Sequence, residues 1–218
     1  MPSASPAPRV KPRLRGVSHE VAVLLAAPAA VALIAGAESG RARAAAAVYG
    51  ATLVALFLAS AAYHRPTWAP GPRRLVERVD HSAIFLFTAG TYAPLCLLLG
   101  PGAGYRLLAV VCSGAALGVL LSVTWMGTPK PLRAGLHLLL GWSFLPVASA
   151  LHAALGGGGF LLLVGGAMVY TAGALVFALR RPDPSPATFG FHEVFHLFVI
   201  AGAACHYVLV RSVIHALG

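Results

Sequence analysis

Apolar residues along the chain are gathered into seven long stretches that short polar loops separate. An α-helix rises about 1.5 Å per residue, so about 20 apolar residues cross the hydrocarbon core of a bilayer. The pattern predicts an all-α fold, a polytopic seven-transmembrane helix bundle formed by residues 16–218. The predicted spans cover residues 17–37, 45–65, 80–100, 105–126, 132–154, 157–179 and 189–211.

Proline placement agrees with these boundaries. Of the 16 prolines, all but Pro28, Pro94 and Pro146 lie outside the spans, and these three predict kinks. Residues 1–15 are rich in proline and basic residues and predict a disordered tail. The first span could instead be a signal peptide, but its apolar stretch, 21–37, is long for one and favours a retained helix.

Composition narrows the class of protein. Hydrophobic residues make up 58% of the chain and charged residues 10%, far from the balance of a soluble domain. These values exclude a soluble enzyme, a disordered chain and a secreted disulfide scaffold, and they indicate an integral, multi-pass membrane protein. Three cysteines lie inside apolar stretches and are predicted to be packed thiols: Cys96, Cys112 and Cys205.

The net charge of +10 would suggest nucleic acid as a partner if the protein were soluble. Here the basic residues flank the predicted spans, twelve on the side of the N-terminal tail and four on the other. By the positive-inside rule, the N-terminus and its basic tail are cytoplasmic and the C-terminus is outside. No nucleic-acid partner is predicted.

Four ionisable residues at the ends of spans are the candidates for chemistry, because such groups are costly at membrane depth. His64 ends the second span, Asp80 opens the third, and His192 and His196 lie one turn apart in the seventh. The alternation of spans places all four at the cytoplasmic end. They are either separate interfacial residues or one site, and three imidazoles with a carboxylate suit a catalytic zinc.

Other polar residues are weaker candidates. Ser60 lies one turn before His64 on the same helix face, although most serines in apolar helices only bond their own backbone. The outer histidines, His152, His206 and His215, are too far along their helices to join the inner site. The inner end also holds His19, His81 and His137, which are predicted to be packed or hydrated, or to support the site from outside the ligand set.

Several runs of sequence carry a family resemblance. They are SAAYH at 60–64, RVDHSAIFLFTAGTYAP at 78–94, GW at 141–142, GGAMVYTAGALVF at 165–177 and FGFHEVFHLFVIAGA at 189–203. In this order they resemble the hemolysin III family, the bacterial branch of the progestin and adiponectin receptor group. The superfamily includes the alkaline ceramidases. The resemblance implies a seven-helix protein of the bacterial plasma membrane.

The resemblance also implies a ligand set and roles. It makes His64, His192 and His196 the ligands of a Zn²⁺ ion near the cytoplasmic side. Asp80 would hold the metal-bound water, and Ser60 would assist nearby. Two departures, Ala93 in place of a hydroxyl residue and the partial match of GVSHEVA at 16–22, leave substrate contacts from the first and third helices undetermined.

The functional hypothesis is a zinc-dependent hydrolase of a lipid amide or ester, with membrane lipid as substrate. The run His192-Glu193-x-x-His196 is also the metalloprotease pattern, in which Glu193 is the general base. In the family interpretation, Glu193 faces the lipid headgroups instead. The non-enzymatic alternatives are a receptor or membrane-stress protein with structural zinc, and a cytolysin, as the family name suggests.

The predicted topology can be measured directly. A reporter fused after Gly218 should signal from the extracytoplasmic side, because seven crossings from a cytoplasmic N-terminus end outside. A matching fusion in the 2–3 loop, which is rich in arginine, should signal from the cytoplasm. A cytoplasmic signal from the C-terminal fusion would mean that one span has been miscounted.

Overall fold

The computed structural model describes residues 11–125, 127 and 129–218, and every regular element in that part of the chain is a helix. A short 3₁₀ turn, Leu145–Val147, separates the fifth helix from the sixth. The helices are α1 (Val17–Ala35), α2 (Gly40–His64), α3 (Pro70–Leu99), α4 (Ala103–Thr124), α5 (Lys130–Gly141), α6 (Ala148–Leu179) and α7 (Phe191–Ala216).

Within the described residues, six helical segments are long and apolar enough to cross a membrane. The all-α, membrane-spanning prediction is therefore confirmed, whereas the sequence pattern predicts seven spans. The predicted fifth and sixth spans fall in one apolar segment, Leu132–Leu179. Within that segment, the backbone of Gly156 departs from helical geometry at φ 66° and ψ 174°.

The helices extend beyond the apolar stretches that predict them. Helix α3 begins at Pro70, ten residues before the predicted span, with proline in its first turn, a position where proline's missing N–H costs nothing. Hydropathy detects only the part of a helix that is apolar enough to lie in hydrocarbon. The turns before Asp80 are charged, so the predicted span does not include them. Asp80 therefore lies inside a helix, and not at its start.

The three predicted kink prolines occupy different environments. Pro28 lies inside α1 and Pro94 inside α3. Pro146 lies in the 3₁₀ turn between α5 and α6, where a break in the helix already exists. Of the predicted tail, residues 1–10 lie outside the described residues. Within residues 11–15, the backbone N–H groups of Arg13 and Leu14 donate to carbonyls of the loop before α7.

The bundle is built on extensive contacts between pairs of helices. The most extensive contacts join α1 to α2, α2 to α3, α3 to α4 and α6 to α7. Helix α7 also contacts α1, α2 and α3. This arrangement turns the first residues of α7 toward the end of α2.

Small residues allow these close approaches, as is general for helices in membranes. Gly118 of α4 lies against the ring of Phe85 on α3, and a Cβ at this glycine would overlap the ring. The same ring stacks on His137 of α5 at 3.9 Å between centroids. Gly118 and Phe85 therefore hold three helices together.

All three cysteines are free, as predicted. Cys96 is buried and Cys205 is half-buried, in agreement with packed thiols. The prediction was wrong for Cys112, which is exposed on the outside of the bundle. An apolar stretch does not distinguish the face toward the core from the face toward lipid, because lipid is as apolar as the core.

A glycine substitution tests this packing. Gly118→Ala should destabilise the protein by about 1–3 kcal/mol, because the added methyl overlaps the confined Phe85 ring. The matched control is Gly165→Ala on α6, where an added Cβ meets nothing within 4 Å. Thermal unfolding in detergent should show a lower midpoint for Gly118→Ala only, and equal midpoints would contradict the packing.

Candidate metal centre

Three histidines meet at one end of the bundle. His64 is the last residue of α2, and His192 and His196 lie in the first two turns of α7. One ring nitrogen from each lies within 4.8 Å of the other two. The spacing in α7 places both of its imidazoles on one face, and the contact between α2 and α7 adds the third.

The geometry fits a small divalent metal ion. The Nε2 atoms of His64 and His192 are 3.2 Å apart. Zinc binds imidazole nitrogen at about 2.0–2.1 Å, and in a tetrahedral site two such ligands lie about 3.4 Å apart. His196 is 2% exposed and its Nδ1 has no hydrogen-bond partner in the described structure. Three converging imidazoles can therefore hold one metal ion.

Asp80 lies beside this cluster. Its Oδ2 atom is 3.9 Å from Nε2 of His64, which is too far for a direct hydrogen bond. Asp80 is buried, at 7% exposed, and the Ser60 side chain lies close enough to interact with its carboxylate. The structure thus brings all five predicted site residues to one place, with Ser60 beside Asp80.

His19 was among the weaker candidates, and the structure places it in direct contact with the cluster. Its ring is parallel to that of His196, with 3.8 Å between centroids and 7° between planes. Phe57 of α2 packs edge-on against the same His19 ring at 5.1 Å between centroids. Since α1 and α7 are far apart in the chain, no sequence spacing could have indicated this stack.

The other inner histidines belong to different contacts. Nδ1 of His81 lies 2.6 Å from the guanidinium of Arg133, and Nδ1 of His137 donates to the carbonyl of Arg133. The first contact joins α3 to α5, and the second lies within α5. Of the outer histidines, His206 contacts the Leu163 carbonyl at 3.2 Å, and it is outside the metal group, as predicted.

Glu193 is buried, at 1% exposed, so the prediction that it faces the headgroups was wrong. Its Oε2 accepts the backbone N–H of Gly190 at 2.8 Å and caps α7. Its Oε1 lies 2.6 Å from Nε of Arg15. Both oxygens of this carboxylate therefore have partners in the cap and the ion pair.

Comparisons with known proteins show the family to which the chain belongs. The family model described as "Haemolysin-III related" matches residues 8–207. "Hemolysin-3" of Bacillus cereus is 32% identical over 199 residues, 89% of this chain and 87% of that protein. The "Hemolysin-3 homolog" of Bacillus subtilis (strain 168) is 32% identical over 200 residues, 89% of this chain and 90% of that protein.

A more distant relative comes from an animal. The "Adiponectin receptor protein" of Drosophila melanogaster is 31% identical over 156 residues, 62% of this chain and 34% of that protein. Fold and site together define a multi-pass helical membrane protein with a histidine cluster at one end of its bundle. The chain belongs to the haemolysin-III related family.

Removal of any one histidine of the cluster should abolish tight metal binding. The protein purified in detergent should carry about one metal ion, and His64→Ala, His192→Ala and His196→Ala should each fall below about a tenth of that, because two imidazoles hold zinc weakly. Elemental analysis gives the stoichiometry. The control is His215→Ala, an exposed position at the far end of α7, and full occupancy in all variants would exclude the site.

Proposed function

We propose that this protein is a zinc-dependent hydrolase of lipid amide or ester bonds. The observation that supports it most directly is the convergence of three imidazoles with a buried carboxylate. That donor set is the one catalytic zinc sites use, since three protein ligands leave a position open. The proposed ligands are His64, His192 and His196, and the proposed catalytic residues are Asp80 and Ser60.

The proposed topology has seven crossings, with the N-terminus in the cytoplasm of a bacterium and the protein in its plasma membrane. The break at Gly156 supports a division of the long apolar segment into the two predicted crossings, 132–154 and 157–179. The excess of Lys and Arg in the tail and in alternate loops supports the orientation. The metal centre then lies on the cytoplasmic side.

Zinc held by three imidazoles supplies Lewis acidity and activates water for attack on a carbonyl carbon. The role of Asp80 is to accept the proton of the attacking water at its carboxylate and to hold that water in line. The Ser60 side chain lies beside the Asp80 carboxylate. Its proposed role is to orient that carboxylate.

The proposed substrate is a membrane lipid, because the site lies at the end of an apolar bundle. A lipid amide or ester can present its carbonyl at the boundary between headgroup and hydrocarbon while its acyl chain stays in an apolar environment. Hydrolysis would release an acyl chain as a carboxylate on the same membrane face.

A non-enzymatic receptor with structural metal is the second candidate. The similarity to the adiponectin receptor protein of Drosophila supports it. A cytolysin draws support from the names of the Bacillus relatives. The protease alternative is disfavoured by Glu193, because a general base needs a free carboxylate and this one caps α7 and pairs with Arg15.

Hydrolysis can be tested with amide-linked and ester-linked acyl lipids presented in mixed micelles. We expect fatty acid release by the metal-loaded protein, its loss on chelation, and a fall in kcat of about a hundredfold or more in Asp80→Asn, because the general base is lost. Ser60→Ala should lower kcat less, since it only orients that base. The assay measures released fatty acid by mass spectrometry.

The control is His215→Ala, which leaves the inner end of the bundle intact. Full metal occupancy without turnover on any amide or ester would overturn the hydrolase proposal and favour the receptor. Turnover of peptide bonds that Glu193→Gln abolishes would favour the protease instead.

A further inference from the structure

Residues 11–16, here called the N-terminal strap, cross the end of the bundle that holds the histidine cluster. The backbone N–H groups of Arg13 and Leu14 donate to the carbonyls of Ala187 and Thr188 at 3.0 Å each. At its beginning, the strap contacts the residues that follow α2, because Nζ of Lys11 donates to the Arg65 carbonyl at 2.9 Å. The strap thus joins the end of α2 to the loop before α7.

The strap packs against the base of the side chain of one cluster histidine. Gly16 has φ +81°, and a Cβ there would lie 2.8 Å from Cβ of His64. Positive φ favours glycine, and the close approach leaves no room for a side chain. With the strap in place, the side chain of His64 is only 12% exposed.

One buried ion pair fixes the strap to α7. Nε of Arg15 lies 2.6 Å from Oε1 of Glu193, and their side chains are 19% and 2% exposed. Displacement of the strap would leave the Glu193 carboxylate buried without its cation. An unpaired buried charge is strongly disfavoured. Glu193 directly follows His192, which ties the ion pair to the cluster itself.

We propose that Arg15 and Glu193 are a positioning pair that holds the N-terminal strap across the cytoplasmic mouth of the histidine cluster, so that metal and water exchange requires the strap to open. The proposal rests on the metal centre assigned under the proposed function. The hydrogen bonds to Ala187 and Thr188 seat the strap, and the ion pair determines how often it opens.

Two rates measure the opening. The first is the removal of zinc by a chelator from the loaded full-length protein. The second is the carbethoxylation of His64 and His192 by diethyl pyrocarbonate in metal-free protein, followed by peptide mass spectrometry. Arg15→Gln and Glu193→Gln should each raise both rates about tenfold, the scale on which outer residues affect metal sites. The double variant should match either single variant, because the two side chains form one interaction.

Arg13→Gln is the matched control, because its side chain is exposed on the same strap. It should leave both rates at the wild-type value. Arg15→Lys should restore most of the protection, which a general loss of stability would not explain. Glu193→Gln retains an oxygen that can accept the Gly190 N–H, so the cap on α7 persists.

The outcomes separate this proposal from the metal centre. Wild-type protein that binds no metal overturns the proposed function, and the carbethoxylation rates then still decide whether the strap covers the cluster. Equal carbethoxylation rates in wild type, Arg15→Gln and Glu193→Gln overturn the positioning pair, whatever the metal content.

Discussion

The contact between the end of α2 and the start of α7 is the interaction on which the site depends. His64 and His192 are 128 positions apart in the chain, yet their Nε2 atoms are 3.2 Å apart. Helix α2 ends at this face of the bundle, and α7 begins there. Helix α7 also packs on α1, α3 and α6, and these contacts hold its first turns against α2. If α7 moved by one helical turn, about 5.4 Å, the three imidazoles would no longer converge.

Burial determines how the polar residues around that contact are arranged. Within a bilayer, a polar group needs a partner inside the protein. Glu193 has Gly190 and Arg15, and Asp80 lies beside His64 and Ser60. His19 and His196 instead stack ring on ring, which fixes the plane of a proposed ligand without a hydrogen bond. A metal ion shared by the three cluster histidines would satisfy the nitrogens that converge there.

The apolar pattern predicted the helices and the end of the bundle that carries the candidate site. It was less accurate for the residues at which helices begin and for the helix faces that point to the core. It placed Asp80 at the start of a helix, whereas α3 begins ten residues earlier. It predicted a packed Cys112, which is exposed. Hydropathy measures how readily a residue enters an apolar environment. Lipid and the protein core are both apolar, so hydropathy does not show which of the two a residue faces.

The sequence by itself determined the class of protein, the five candidate site residues and the end of the bundle on which they lie. These conclusions follow from the period of the helix, the length of each span and the alternating direction in which successive spans cross the membrane. Each of these properties can be read from local segments of the chain. Only the tertiary structure decided that His19 stacks on His196, that Glu193 is buried against Arg15 and that Gly16 packs against His64. Each joins segments that are remote in the chain, and the packing of whole helices brings them into contact.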